Sequence, residues 1–279
     1  MKNPYFKRFL ILIILALILV LPFGSVACNK ITDREVVSNV LDAYSKLKTY
    51  SVEENITAVT KVVGGDRAGI RLTSENSTGI IDIIGRRFEI NTMQDGSPSP
   101  GWQTFNRMFL ENEWLYGKSD FLNYEDSDHE IWVKLDLGDD DRLWKDNNLL
   151  GQQIELLSTA TEITSMRNER INGIDTYVLE IKPDWQVLSN WLSLQPPWRG
   201  PRFFDLPALA KSLAFRVWVS QDTYLVLKST IEVEFEMVSF DSSKSTVELN
   251  GEVIFNDYDA PVNIKIPQEA LEAIEGPIS

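Results

Sequence analysis

Three consecutive stretches near the C-terminus place an apolar residue at every second position. They are Leu213, Phe215, Val217 and Val219; Leu225, Leu227, Ile231, Val233 and Phe235; and Val247, Leu249, Val253 and Phe255. Lys228, Thr230, Glu232, Glu234 and Glu236 fill the alternate positions of the middle stretch. Successive side chains of a strand point to opposite faces, so this period gives one buried face and one wet face. That is the pattern of an antiparallel sheet covered on one side. The predicted strands exceed the usual length of about 5–6 residues. Long, half-wet strands suit a curved sheet wrapped around something apolar.

The chain has 279 residues, 43% of them hydrophobic, enough for one sizeable core or two smaller ones. Its net charge is −14, and removing the first 27 residues would take away three positive charges and no acid. Such an acidic surface argues against nucleic acid and against charge-driven docking on anionic lipid. A single cysteine, Cys28, leaves no intrachain disulfide. A single histidine, His129, leaves no site that needs two.

Lys2, Lys7 and Arg8 precede a charge-free run from Phe9 to Ala27. A basic start, a short apolar middle and a small-residue end describe a secretory signal. Ser25-Val26-Ala27 fits the small-x-small cleavage pattern, and Cys28 follows at once. The segment resembles a bacterial lipobox, whose cysteine receives diacylglycerol; Ser25 stands where that pattern prefers leucine. Plain secretion and an uncleaved anchor stay open, because the charge-free run approaches the roughly 20 residues that span a bilayer. The expected organisation is a signal sequence over 1–27, a lipidated tether over 28–31 and one domain over 32–279. The lipidated and anchored readings place that domain on the extracytoplasmic side of a membrane.

Thr32-x-x-Glu35 reads as a helix start, followed by Val36, Val37, Val40, Leu41, Tyr44 and Leu47 at helical spacing. Strands are expected from Tyr50, over Thr78–Ile84 and Arg87–Met93, over Thr104–Leu110 and Glu113–Tyr116, and over Ile131–Leu137. Asn148–Leu157 reads as a short helix. Asn172-Gly173, between Met166–Ile171 and Ile174–Ile181, is a two-residue hairpin turn of type I′. Asp184 can cap a helix carrying Trp185, Leu188, Trp191 and Leu192 on one side. Gln195–Pro207 should be irregular. Val262–Ile266 is expected to be a strand before a last helical turn. This order gives one α+β domain.

In that order the chain resembles the lipoprotein-carrier superfamily, the LolA/LolB-like carriers and the mycobacterial glycolipid-binding lipoproteins. The resemblance rests on the Cys28 tether and the phrases KLKTYSVE, MRNERINGIDTYVLEIKPD, WQVLSNWL, FRVWVSQDTYLVLKSTIEVEFE and YDAPVNIKIPQEAL. It implies a single curved antiparallel sheet of ten or more strands, a half-open barrel. An N-terminal helix and two or three short helices would cover its concave face. It also implies a cavity for acyl chains, and it fixes no individual binding residue.

Ligand contacts are expected from the aromatic and apolar residues Trp185, Leu188, Trp191 and Leu192, on the helix that makes the best lid, and from Trp114, Tyr116 and Trp132 as cavity lining. Indole N–H groups would sit at the wet rim. The bland alternative is ordinary core packing. The acids Glu125, Asp126, Asp128 and Glu130, then Asp136 and Asp139–Asp141, lack the spacing of a calcium loop and read as solvated. No phosphate loop, dinucleotide fingerprint or nucleophile–base pair can be assembled, so an enzyme, a metal site or a cofactor is not expected. The leading expectation is a cell-envelope lipoprotein that binds a lipid or other apolar ligand. The rival is a sensor or scaffold of the same fold with a protein partner.

Overall fold

The computed structural model describes residues 31–64, 68–95, 106–119, 131–194, 209–238 and 244–275. The elements from Asp33 onward belong to one unit. Its helices are α1 (Asp33–Lys46), α2 (Arg142–Asn147), α3 (Leu149–Ser158), α4 (Trp185–Ser193) and α5 (Gln268–Leu271). The strands up to the middle of the chain are β1 (Thr49–Val63), β2 (Gly69–Asp82), β3 (Arg87–Asp95), β4 (Arg107–Glu111), β5 (Trp114–Ser119) and β6 (Ile131–Asp136). The remainder are β7 (Glu162–Ser165), β8 (Glu169–Ile171), β9 (Ile174–Lys182), β10 (Ala210–Ser220), β11 (Val226–Val238), β12 (Lys244–Asn256) and β13 (Ile274–Glu275).

All of them join a 13-stranded sheet in the order β13-β6-β5-β4-β3-β2-β1-β12-β11-β10-β9-β7, with β8 paired to β9. Neighbours are antiparallel except β13 and β6, which run parallel. The two ends do not pair, so the sheet stays open: the α+β half-barrel expected from the sequence is present. Its centre is built from the long strands β1, β2, β10, β11 and β12, as the alternation required.

Register fixes the two faces. Tyr50 lies opposite Ile81, Val52 opposite Phe255, Phe215 opposite Ile231 and Ile181. These residues share the inner face, and all are buried. The helix layer rests there. The Tyr50 hydroxyl donates to Asn148 Oδ1 at 2.8 Å and accepts from the Leu150 amide at 3.2 Å, which binds the start of α3 to β1. α1 crosses towards β7, where Asp33 accepts hydrogen bonds from the Ser165 amide and hydroxyl. α3 packs against both α1 and α4.

Three local expectations need correction. Met166–Ile171 is not one strand. β7 ends at Ser165 and β8 starts at Glu169, each pairing separately with β9. Val262–Ile266 is not a strand of the sheet, and this part of the chain joins it only at β13. β2 begins at Gly69, well before Thr78, because its first half alternates polar residues on the inner face and so lacks the apolar period. The Asn172-Gly173 turn is as expected, with φ values of 49° and 85° that only type I′ geometry demands of both positions.

Candidate functional site

The candidate site is the space between the inner face and the helix layer. α4 reaches it from the end of β9. Asp184 Oδ1 accepts from the amides of Gln186 and Val187 at 2.9 and 3.2 Å, satisfying two of the otherwise unpaired helix-start donors. The helix then buries Leu188 and Leu192 completely, and Trp191 to 4% exposure. Trp185, at its first position, is half-buried and lines a cavity of about 220 Å³ with Ile181, Leu213, Thr164 and the Glu162–Lys182 pair. Thus the four residues of the expected lid divide: three face the interior and Trp185 stands at the margin, beside edge strand β7.

Trp114, Tyr116 and Trp132 do not join them. Leu110 lies opposite Leu115, and Leu115 opposite Leu135, on the inner row that begins at Phe88. Trp114, Tyr116 and Trp132 have the other parity and occupy the outer face. There Phe109, Tyr116, Ile264 and Ala270 form a second, smaller core, with Trp114, Trp132, Ile80 and Ile266 packed around it. Lys134 Nζ sits 3.9 Å from the Trp114 ring centre. These aromatics hold the C-terminal segment against the outside of the sheet, and cavity lining is the wrong role for them. Alternation tells which residues share a face, and it is silent on which face the helices cover.

Sequence reasoning missed the polar groups of the interior. Glu54 and Glu75 are 7% and 3% exposed, on neighbouring inner-face positions of β1 and β2. Thr73, Ser77, Ser229 and Ser245 are buried on the same face. Parity could have found them, since Glu54 is in phase with Tyr50, Val52 and Ile56. On the helix side, Gln153 of α3 is 1% exposed and lies among Leu149, Leu150, Ile154 and Leu157. Its Oε1 and the Nε1 of Trp191 are buried without a hydrogen-bond partner. Burial pushes the Tyr50 phenol far above its ordinary range, so the group stays neutral and serves as a structural donor.

At the other end of the sheet, Arg86, Asn112, Gly138, Asp139–Asp141 and Trp144 surround a cavity of about 360 Å³. Asp140 is held at about 2 by the Arg142 guanidinium that pairs with it at 2.6 Å, and Asp141 pairs with Lys145 at 2.8 Å. Among the described residues no group of acids, histidines or cysteines is placed to hold a metal. Cys28, His129 and Gln195–Pro207 lie outside the described residues.

No protein-family model matches the chain, and no curated protein sequence matches it. Among solved structures it is similar to the lipoprotein LppX of Mycobacterium tuberculosis, at 13% identity and a TM-score of 0.37 over 84% of this chain and 100% of that one. It is also similar to LprF from Mycobacterium bovis, at 14% identity and 0.45 over 85% and 96%. A third is a putative outer membrane lipoprotein-sorting protein domain from Vibrio parahaemolyticus, at 12% identity and 0.21 over 78% and 91%.

Proposed function

We propose that this protein is an extracytoplasmic lipoprotein, held to the membrane through Cys28, that binds a lipid or other apolar ligand between its half-barrel and its helix layer. It works by burial, with no covalent step. One observation carries the reading: α4 presents Leu188, Trp191 and Leu192 to the inner face of an open sheet, next to a cavity at its first residue. Each large apolar side chain buried there stabilises the closed layer by about 2 kcal/mol. An acyl chain burying methylenes at roughly 0.8 kcal/mol each can lodge between this helix and the inner face, with α4 kept as its cover. The acidic surface fits a protein whose membrane contact is made by its lipid anchor and not by charge.

Native mass spectrometry of protein extracted from membranes tests this. A co-purifying lipid mass that leaves on delipidation is the expected result; protein that carries none and takes up none refutes it. A scaffold with a protein partner is the second reading. It is favoured by the packing of Tyr50, Phe88, Phe215 and Phe255, each under 2% exposed, which already fill much of the inner face.

A further inference from the structure

Buried polar groups in folded proteins are almost always hydrogen-bonded, and the exceptions call for an explanation. Two such exceptions lie on the buried sides of adjacent, mutually packed helices of the layer. Trp191 Nε1 is a donor with nothing to donate to, on a residue 4% exposed. Gln153 Oε1 is an acceptor with nothing to accept, on a residue 1% exposed. The two helices pack against one another, yet the donor and the acceptor do not satisfy each other. Each leaves an uncompensated desolvation cost that an apolar side chain of similar shape would avoid. Leucine or phenylalanine would serve packing alone better at both places.

We infer that Trp191 and Gln153 recognise the polar linkage of the bound amphiphile, and that this linkage carries both a carbonyl oxygen and an N–H or O–H donor, as an N-acyl amide or a hydroxylated acyl group does. This rests on the apolar-ligand reading and narrows its chemistry. The carbonyl accepts from Trp191 Nε1, and the ligand's N–H or O–H donates to Gln153 Oε1. The acyl chain runs over the apolar inner face, with Leu188 and Leu192 as its neighbours on α4. A plain hydrocarbon would leave both protein groups unbonded; a simple ester would satisfy only the indole.

The test uses the delipidated full chain and displacement of cis-parinaric acid by three ligands of one chain length: N-hexadecanoyl ethanolamine, ethyl hexadecanoate and hexadecane. The wild type should bind the amide most tightly, the ester next and the hydrocarbon least. Steps of about five- to tenfold are expected, the size of one neutral hydrogen bond. Trp191→Phe should weaken the amide and the ester by one such step. Gln153→Leu should weaken the amide and spare the ester. Ligand-free Gln153→Leu should melt no lower than the wild type, since it removes an unbonded group. Equal wild-type affinity for all three ligands overturns the inference and leaves apolar binding standing. So does a melting point of Gln153→Leu well below that of the wild type, which would mean that the amide is bonded to a trapped water. Should a variant fail to fold, the wild-type ranking decides alone. A wild type that takes up neither parinaric acid nor any of the three overturns the inference together with the function proposed above.

Discussion

Asp82 shows how one side chain fixes the end of a strand pair. Its Oδ1 accepts from the Gly85 amide at 2.8 Å, and its Oδ2 from Arg87 Nε and an Arg87 terminal nitrogen at 3.1 and 2.6 Å. A Cβ at Gly85 would come within 2.5 Å of Asp82 Oδ2, so a larger residue there would push the carboxylate off these partners. Burial by itself would raise the Asp82 carboxyl, and the hydrogen bonds from Gly85 and Arg87 outweigh it, so its pKa falls below the ordinary 3.8. A carboxyl depressed by folding stabilises the fold above its unfolded pKa, and that contribution is lost as pH falls through the folded value. Asp82→Asn should therefore lower stability by about 1–3 kcal/mol at neutral pH. The difference from wild type should shrink below pH 4. Chemical denaturation at pH 7 and pH 3 measures both; a difference that does not depend on pH would remove the charge from the argument. At this same scale the sequence was readable where parity is apolar, as at Tyr50 and Val52. It was opaque where Glu54 and Glu75 occupy inner positions, because an acid in a strand is ordinarily assigned to the wet face.

At the scale of elements, the hairpins were legible and their coverings were not. Asn172-Gly173 announces its own turn, because few residues accept positive φ at both positions. Proline fixes φ near −65°, and Asn172 needs 49°. Asn172→Pro should therefore detach β8 from β9. Glu169 of β8 accepts from Trp218 Nε1 at 2.9 Å on a residue 8% exposed, so the detachment should expose that indole and shift tryptophan emission to the red. The central sheet should survive, because β8 lies off its main path; global unfolding would show that the arm is needed for the whole. The C-terminal segment was partly illegible for a different reason. Ile264 and Ile266 alternate like a strand, but their partners are the side chains Phe109, Tyr116, Trp114 and Trp132 and not a neighbouring backbone. Ile264→Ala should cost about 2–4 kcal/mol through the cavity it leaves in that outer core. Thermal melting measures this, and a change below about 0.5 kcal/mol would mean that the segment only rests on the surface.

For the whole molecule, the proposals about anchoring and about burial make separate predictions. Anchoring depends on the one cysteine. Cys28→Ser should abolish labelling by a fatty-acid analogue and leave a precursor that retains 1–27; continued labelling would place the lipid elsewhere. Burial depends on the half-barrel and its helix layer, and it links ligand to stability. A ligand that binds the folded state alone stabilises it by about 2.7 kcal/mol at a free concentration 100 times its Kd. The gain arises because only the folded half-barrel and its helix layer offer the site, and the unfolded chain does not. The lipid-loaded protein should therefore melt higher than the delipidated one, and the increment should grow with the logarithm of added ligand. The same increment should appear in Cys28→Ser, since the anchor lies outside the domain that binds. If the loaded and delipidated forms melt together, any lipid found with the protein is attached to the anchor or adsorbed to the surface. The packed inner face of Tyr50, Phe88, Phe215 and Phe255 would then be a closed core, and a protein partner on the outside of the sheet would become the better account of what the molecule does.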